Sequence, residues 1–209
     1  MRFTVRHLVY IGLFGALWGA LEVSLGSYLH ILKVPFTGTI MTSLGIGVAL
    51  VGRSFVPKRG SVLFIGVVTA VLKMFSLGGI VLNPMLAILF ESALAEVGLL
   101  VATKPRRAAF VLAGSLAVAW DFCHQFFTQA LLAGRGFFEV YGWALSQGSR
   151  LLGIGQDQAI TLLLLLLGIR LVVGALAGLA AWSLATAVQR RVAAPTEQAA
   201  ADDLVGEAR

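Results

Sequence analysis

The sequence predicts an all-α membrane protein, a bundle of six transmembrane helices with both termini on the cytoplasmic side. Three observations lead there. Hydrophobic residues make up 58% of the 209 residues and charged residues only 12%, with a mean hydropathy of +0.91. A soluble domain is nearer half apolar and a quarter charged, so the missing charge points to lipid. Apolar runs of bilayer-crossing length, about 20 residues, recur along the chain. The basic residues behind the net charge of +6 fall in short clusters between those runs. That is how topology signals are placed, and no nucleic-acid motif accompanies them, so nucleic acid is not expected as a partner.

The expected spans are residues 7–30, 36–52, 61–79, 82–102, 107–133 and 159–189, forming one domain over 1–191. The first run opens with Arg2 and Arg6, as a signal peptide would. It continues past signal-peptide length without an A-x-A site and is read as a retained helix. Pro35, "VGRSFVPKRG", "SLGG" and "KPRR" supply the breaks between later runs. Residues 134–158 are too polar and glycine-rich to span. They are expected as an external loop whose centre, "FFEVYGWAL", suits the headgroup zone as an interfacial helix. The tail from Val192, residues 192–209, is polar and small and is expected to be disordered.

Orientation follows from the basic residues near the run ends. Arg2, Arg6, Arg53, Lys58, Arg59, Lys104, Arg106, Arg107, Arg190 and Arg191 fall on one side, against Lys33, Arg135 and Arg150 on the other. The richer side is cytoplasmic by the positive-inside rule. The lone Cys123 excludes a disulfide framework, and no second histidine or cysteine stands at ligand spacing from His124, so no metal and no cofactor is expected.

Six acidic or basic side chains fall within the runs: Glu22, Lys73, Glu91, Glu96, Asp121 and Arg170. Exposing all six to lipid at roughly 2.5–3.5 kcal/mol each would cost about 15–21 kcal/mol, so they face one another, water or a ligand. Asp121, His124, Gln125 and Thr128 recur at helical spacing and form one polar stripe on the fifth run. Counted from the cytoplasmic ends, Glu22, Lys73 and Asn83 lie in the outer half, and Glu91, Asp121 and Arg170 near the middle. His124 and Gln125 lie outward of Asp121, and only Glu96 lies on the cytoplasmic side. This bias fits a pocket opening outward, with Tyr141 and Trp143 of the external segment available to stack on a bound ring. The excess of acidic groups there favours a cationic or hydrogen-bond-donating heterocycle. The structural alternative is ion pairing that pins helices together, Glu22 with Lys73 and Asp121 with Arg170.

In "IGLFGALWGALEVSLG", residues 11–26, Gly12, Gly15, Ala16, Gly19 and Gly26 make one broad small-residue stripe, with Glu22 at its edge. Small side chains let helices approach closely where lipid gives little hydrophobic drive. Such a face meets either this protein's own helices or a separate subunit.

These features together resemble a known family. Small residues stand at four-residue spacing on the first helix (Gly12, Ala16, Ala20). The stretch "PFTGTIMTSLGIGVALVGRSFVPKRGSVLFIGVVTAVLK" orders proline, a glycine-rich helix, a basic turn with Pro-x-x-Gly, an apolar helix and a lysine. With six helices in a chain of this size, the sequence is similar to the substrate-binding S components of energy-coupling factor (ECF) transporters, the vitamin-uptake branch of ABC transporters, over most of residues 7–189. The resemblance implies a subunit of the prokaryotic plasma membrane that captures a vitamin or precursor externally. It also implies a transmembrane coupling subunit and two ATPase subunits as partners. Gly12, Ala16 and Ala20 would dock the coupling subunit, and Pro35, Phe36 and the 134–158 segment would gate the site. The absence of a Walker motif agrees with ATP hydrolysis on separate chains and with no enzymatic activity here. The residues leave room for a stand-alone secondary transporter or a structural membrane subunit. An intramembrane enzyme using Glu91, Glu96 and His124 is disfavoured, because Glu91 and Glu96 lie about 140° apart round a helix.

Overall fold

The fold is built around a 19-residue, glycine-rich helix that packs against most of the others. The computed structural model describes residues 2–75, 82–101, 106–134 and 136–207. The side chains of residues 30, 125, 129, 131–133, 137, 138, 144, 148, 152 and 193–207 lie outside that description. All regular structure among the described residues is helical. The helices are α1 (Val5–Leu21), a π-helical turn (Glu22–Gly26), α2 (Ser27–Ile31), α3 (Thr37–Phe55), α4 (Ser61–Lys73), α5 (Leu82–Leu99), α6 (Arg107–Ala133), α7 (Phe137–Leu152) and α8 (Gln156–Glu207).

Four segments are long and apolar enough to cross a membrane: Val5–Leu29, Thr37–Phe55, Leu82–Leu99 and Gln156–Val192. The apolar α4 is shorter, and the end of the expected 61–79 run lies outside the described residues. At 27 residues α6 is long enough to cross, but several of its side chains lie outside the described residues. The expected external loop contains a 16-residue helix, α7, which extends beyond the aromatic centre and packs on α6 and α8. The backbone of α8 continues as helix to Glu207 instead of ending near Val192. Alanine, glutamate and glutamine in that stretch are strong helix formers.

Helix α3 touches α1, α4, α5, α6 and α8, and its Ile46, Ala49 and Leu50 are completely buried with Trp18, Val62, Ile65 and Phe110. Glycines make this packing possible, as expected where close backbone contact replaces hydrophobic drive. Gly45 leaves the space that the Trp18 indole fills, and Gly15 and Gly19 of α1 lie against Val68 and Leu72 of α4. The closest backbone-to-backbone contact at these glycines joins α6 to α8. A Cβ at Gly114 would strike the Gly174 carbonyl, and one at Gly178 would strike the Phe110 carbonyl. Ser115 Oγ crosses the same seam to donate to the Leu171 carbonyl at 3.1 Å.

One end of the bundle gathers basic residues. Lys58 Nζ donates to the Arg2 carbonyl at 2.6 Å, Gln189 Nε2 to the Ser54 carbonyl at 2.8 Å, and Arg107 and Arg190 line one crevice. The N-terminus, the α3–α4 turn, the start of α6 and the later part of α8 therefore share that end. The opposite end is stepped. Asp121 meets Gly38 and Thr39 at the start of α3, so residues 122–133 of α6 project about 18 Å beyond it. Residues 156–169 of α8 project similarly, and α7 bridges the two, which leaves a recess above α3.

Candidate functional site

The recess is organised by Asp121. Its Oδ2 accepts from Thr39 Oγ1 at 2.9 Å and from Arg170 Nε at 3.4 Å, while Oδ1 lies against the Cα of Gly38. The Arg170 guanidinium stands over two rings, 5.9 Å from the centre of Phe36 and 5.2 Å from that of Phe122. Around this group is a cavity of about 430 Å³ lined by Lys33, Val34, Phe36, Thr37, Gly38, Asp121 and Arg170. A second cavity of about 460 Å³, between α3 and α8, shares Phe36 and Arg170 and is otherwise mostly aliphatic. Both volumes are in the range of small-molecule sites.

The rim is conformationally special. Lys33 (φ 51°) and Phe36 (φ 60°) both adopt the left-handed region, and they are the only non-glycine residues with positive φ among those described. Each costs of order 1–3 kcal/mol, and such strain concentrates at binding sites and switch segments. Pro35, whose φ is fixed by its ring, sits between them, exposed. Phe36 is the N-cap residue of α3 and offers no side-chain cap, so the first amides of α3 are left for other acceptors.

The remaining charges of the interior are arranged in separate pairs. Lys73 Nζ reaches both Glu22 Oε2 at 3.2 Å and the Glu22 carbonyl at 3.1 Å. That carbonyl belongs to the π-helical turn, whose altered ladder releases backbone acceptors. At the basic end, Glu96 accepts from Arg53 Nη1 at 3.4 Å and from the amides of Gly60 and Val62 at 2.6 and 3.0 Å. It thus caps the first turn of α4 from a neighbouring helix. Glu91 is buried and accepts from Thr42 Oγ1 at 2.8 Å, and among the described residues it has no cation partner.

Asp121, Arg170 and Phe36 meet at the recess, whereas Glu22 with Lys73, and Glu91, lie apart from its lining. His124 is buried with Thr128 Oγ1 3.5 Å from its ring nitrogens, next to an aromatic group of Trp120, Phe90 and Phe127. Two atoms close to that group, Trp120 Nε1 and Asn83 Oδ1, are buried without a hydrogen-bond partner. Tyr141 packs edge-on against Phe126 at 5.8 Å, and Trp143 is exposed on α7. The Gln125 side chain lies outside the described residues. Sequence reasoning missed Lys33, Thr37, Gly38 and Thr39. Lys33 read as a topology marker, and the "TGT" of α3 carries no signal until Asp121 is set beside it.

No group of three histidine, cysteine or acidic side chains among the described residues is placed to hold a metal ion. Comparison of the chain with protein-family models, with curated proteins and with solved structures returned no match.

The stripe on α1 divides into two faces. Gly15 and Gly19 are consumed by α4, with an added Cβ at Gly15 falling 2.6 Å from Val68 Cβ. Ala16 and Ala20 are exposed, and a Cβ at Gly12 would meet nothing within 4 Å. Leu13 and Leu17 flank that open line and are also exposed.

Proposed function

We propose that this protein is the membrane-embedded substrate-binding subunit of an ECF-type importer, with six spans and both termini in the cytoplasm of a prokaryotic cell. The observation that carries the reading is the recess at the start of α3, a polar cavity at the end of the bundle opposite the basic residues. By the positive-inside rule the basic end is cytoplasmic, and the recess then faces outward. Below it Trp18, Ile46, Leu50 and Ile65 are completely buried, so a packed apolar core lies between the cavity and the basic end. A module that captures a solute on one side and relies on a partner for translocation needs that asymmetry.

The open line of Gly12, Ala16 and Ala20 supports the same reading. It runs along α1 from the middle of the helix to its last turn, and among the described residues the protein's own packing does not use it. Close approach of a coupling-subunit helix would employ it as Gly15 and Gly19 are employed internally. In this reading α4 and α6 also span, the charge of Asp121 being met by Arg170. The cargo is a vitamin or a vitamin precursor, and ATP hydrolysis belongs to two partner ATPases.

The test is affinity purification from the native membrane followed by transport assays in proteoliposomes. Co-purification of a coupling subunit and two ATPases, with ATP-dependent uptake, is the expected result. A protein that purifies alone and takes up solute without ATP would overturn the assignment in favour of a stand-alone carrier.

A further inference from the structure

The recess carries more positive than negative charge, since Lys33 and Arg170 face a single carboxylate, Asp121. Arg170 is used at only one edge. Its Nε donates to Asp121, the Phe36 and Phe122 rings hold its plane, and its two terminal nitrogens have no hydrogen-bond partner among the described residues. A guanidinium fixed in this way presents paired N–H groups in the geometry that suits a carboxylate or phosphate. Lys33 likewise has no ion-pair partner among the described residues, and its left-handed backbone keeps it on the cavity wall. The uncapped start of α3 adds positive potential from the same side.

We propose that this recess is an oxyanion subsite: it takes the carboxylate or phosphate of an amphiphile whose apolar part occupies the adjoining cavity lined by Ile40, Leu44, Leu166, Ile169 and Val173. The assignment names the substrate class of the importer site and rests on that reading. It reverses the charge expected from the acidic residues of the runs, because Lys73 and Arg53 occupy Glu22 and Glu96 away from the recess. A soluble solute and an anionic phospholipid both carry this chemistry.

Calorimetric titration of the purified protein in phosphatidylcholine nanodiscs tests it, with benzoate and phenyl phosphate as oxyanion probes and benzylamine and benzyl alcohol as charge controls. At least one oxyanion is expected to bind more tightly than both controls. Arg170→Gln should weaken it by about tenfold or more, the loss of a charge-assisted contact. Arg170→Gln leaves Asp121 without its cation, so Lys33→Gln is the second variant. Its side chain is exposed, and a roughly threefold or greater loss is expected there. Benzylamine binding as well as the oxyanions, no oxyanion binding, or oxyanion affinity indifferent to both substitutions would each overturn the subsite. Repeating the titration in phosphatidylglycerol nanodiscs separates the sources: suppressed benzoate binding identifies the lipid, and undiminished binding a soluble solute, with the subsite standing either way. Oxyanion binding without an associated ATPase module removes the importer reading alone, and ATP-driven uptake without oxyanion preference removes the subsite alone.

Discussion

The Asp121 carboxylate occupies the space that a side chain at Gly38 would need, so an acidic group of α6 rests directly on the backbone of α3. Only a glycine permits this approach, and the approach is what lets Thr39 and Arg170 share one carboxylate oxygen. Gly38→Ala should push the carboxylate off that position. Overpacking of this kind costs about 1–3 kcal/mol, and the displaced Asp121 no longer fixes Arg170. Binding at the recess is expected to fall by about tenfold with only a modest drop in thermal midpoint, measured on the same preparation by calorimetry and a melting scan. Unchanged affinity would show that the Asp121–Arg170 arrangement does not shape the site.

Glu96 works at the other end of the molecule. Its carboxylate joins Arg53 to the first turn of α4, and both side chains are nearly buried. Glu96→Gln leaves the Arg53 guanidinium without its counter-charge, and breaking a buried pair at one partner typically costs about 3–5 kcal/mol. The variant should lose a large part of its resistance to heat in detergent. Affinity at the recess, measured on the folded fraction, should not change. A variant as stable as the parent would mean that neither the charge nor the second acceptor oxygen of Glu96 holds this end together.

Glu91 gives the contrasting case. Among the described residues its single polar partner is the Thr42 hydroxyl, which donates to Oε1, and an amide oxygen accepts that bond equally well. Glu91→Gln deprives no described cation of a partner, so its stability should lie within about 1 kcal/mol of the parent. Parallel melting curves of Glu91→Gln and Glu96→Gln check the difference. Equal destabilisation would show that Glu91 depends on its charge.

Much of this arrangement was legible in the sequence, and the residues show why the rest was not. Charges embedded in apolar runs have few places to go, so Glu22 with Lys73 and Asp121 with Arg170 were foreseeable as pairs, and both form. Arg53 was not foreseeable as the partner of Glu96. At the end of a run it reads as a topology marker, and only the tertiary turn of α3 into α4 brings it beneath Glu96. The π-helical turn at Glu22 has no local signature, since it answers to Lys73 on another helix. Gly174-x-x-x-Gly178, the seam of α8 against α6, has the same small-residue spacing as Gly12 and Ala16 of α1, and spacing alone does not say which face packs internally. The recess depends on α3 starting lower than the end of α6 and the start of α8, a difference in height that no single helix encodes.

The two faces of α1 yield the sharpest discrimination. Gly15 and Gly19 are pressed against Val68 and Leu72, so Gly15→Leu has no space and must separate α1 from α4. Ala16 and Ala20 point away from the bundle, so Ala16→Leu and Ala20→Leu add apolar surface where lipid or a partner helix would lie. Gly15→Leu should therefore lower the thermal midpoint by many degrees or abolish folding, as overpacked cores do. Ala16→Leu and Ala20→Leu should melt like the parent and keep their affinity at the recess. In the importer reading they nevertheless lose ATP-driven uptake, because a leucine on that line holds the coupling helix away from the α1 backbone. Melting scans, titrations and proteoliposome uptake on the three variants separate the cases. Uptake at parental rates by both alanine variants would remove the open face of α1 as the docking surface. Destabilisation of both alanine variants would mean that the bundle uses that face itself.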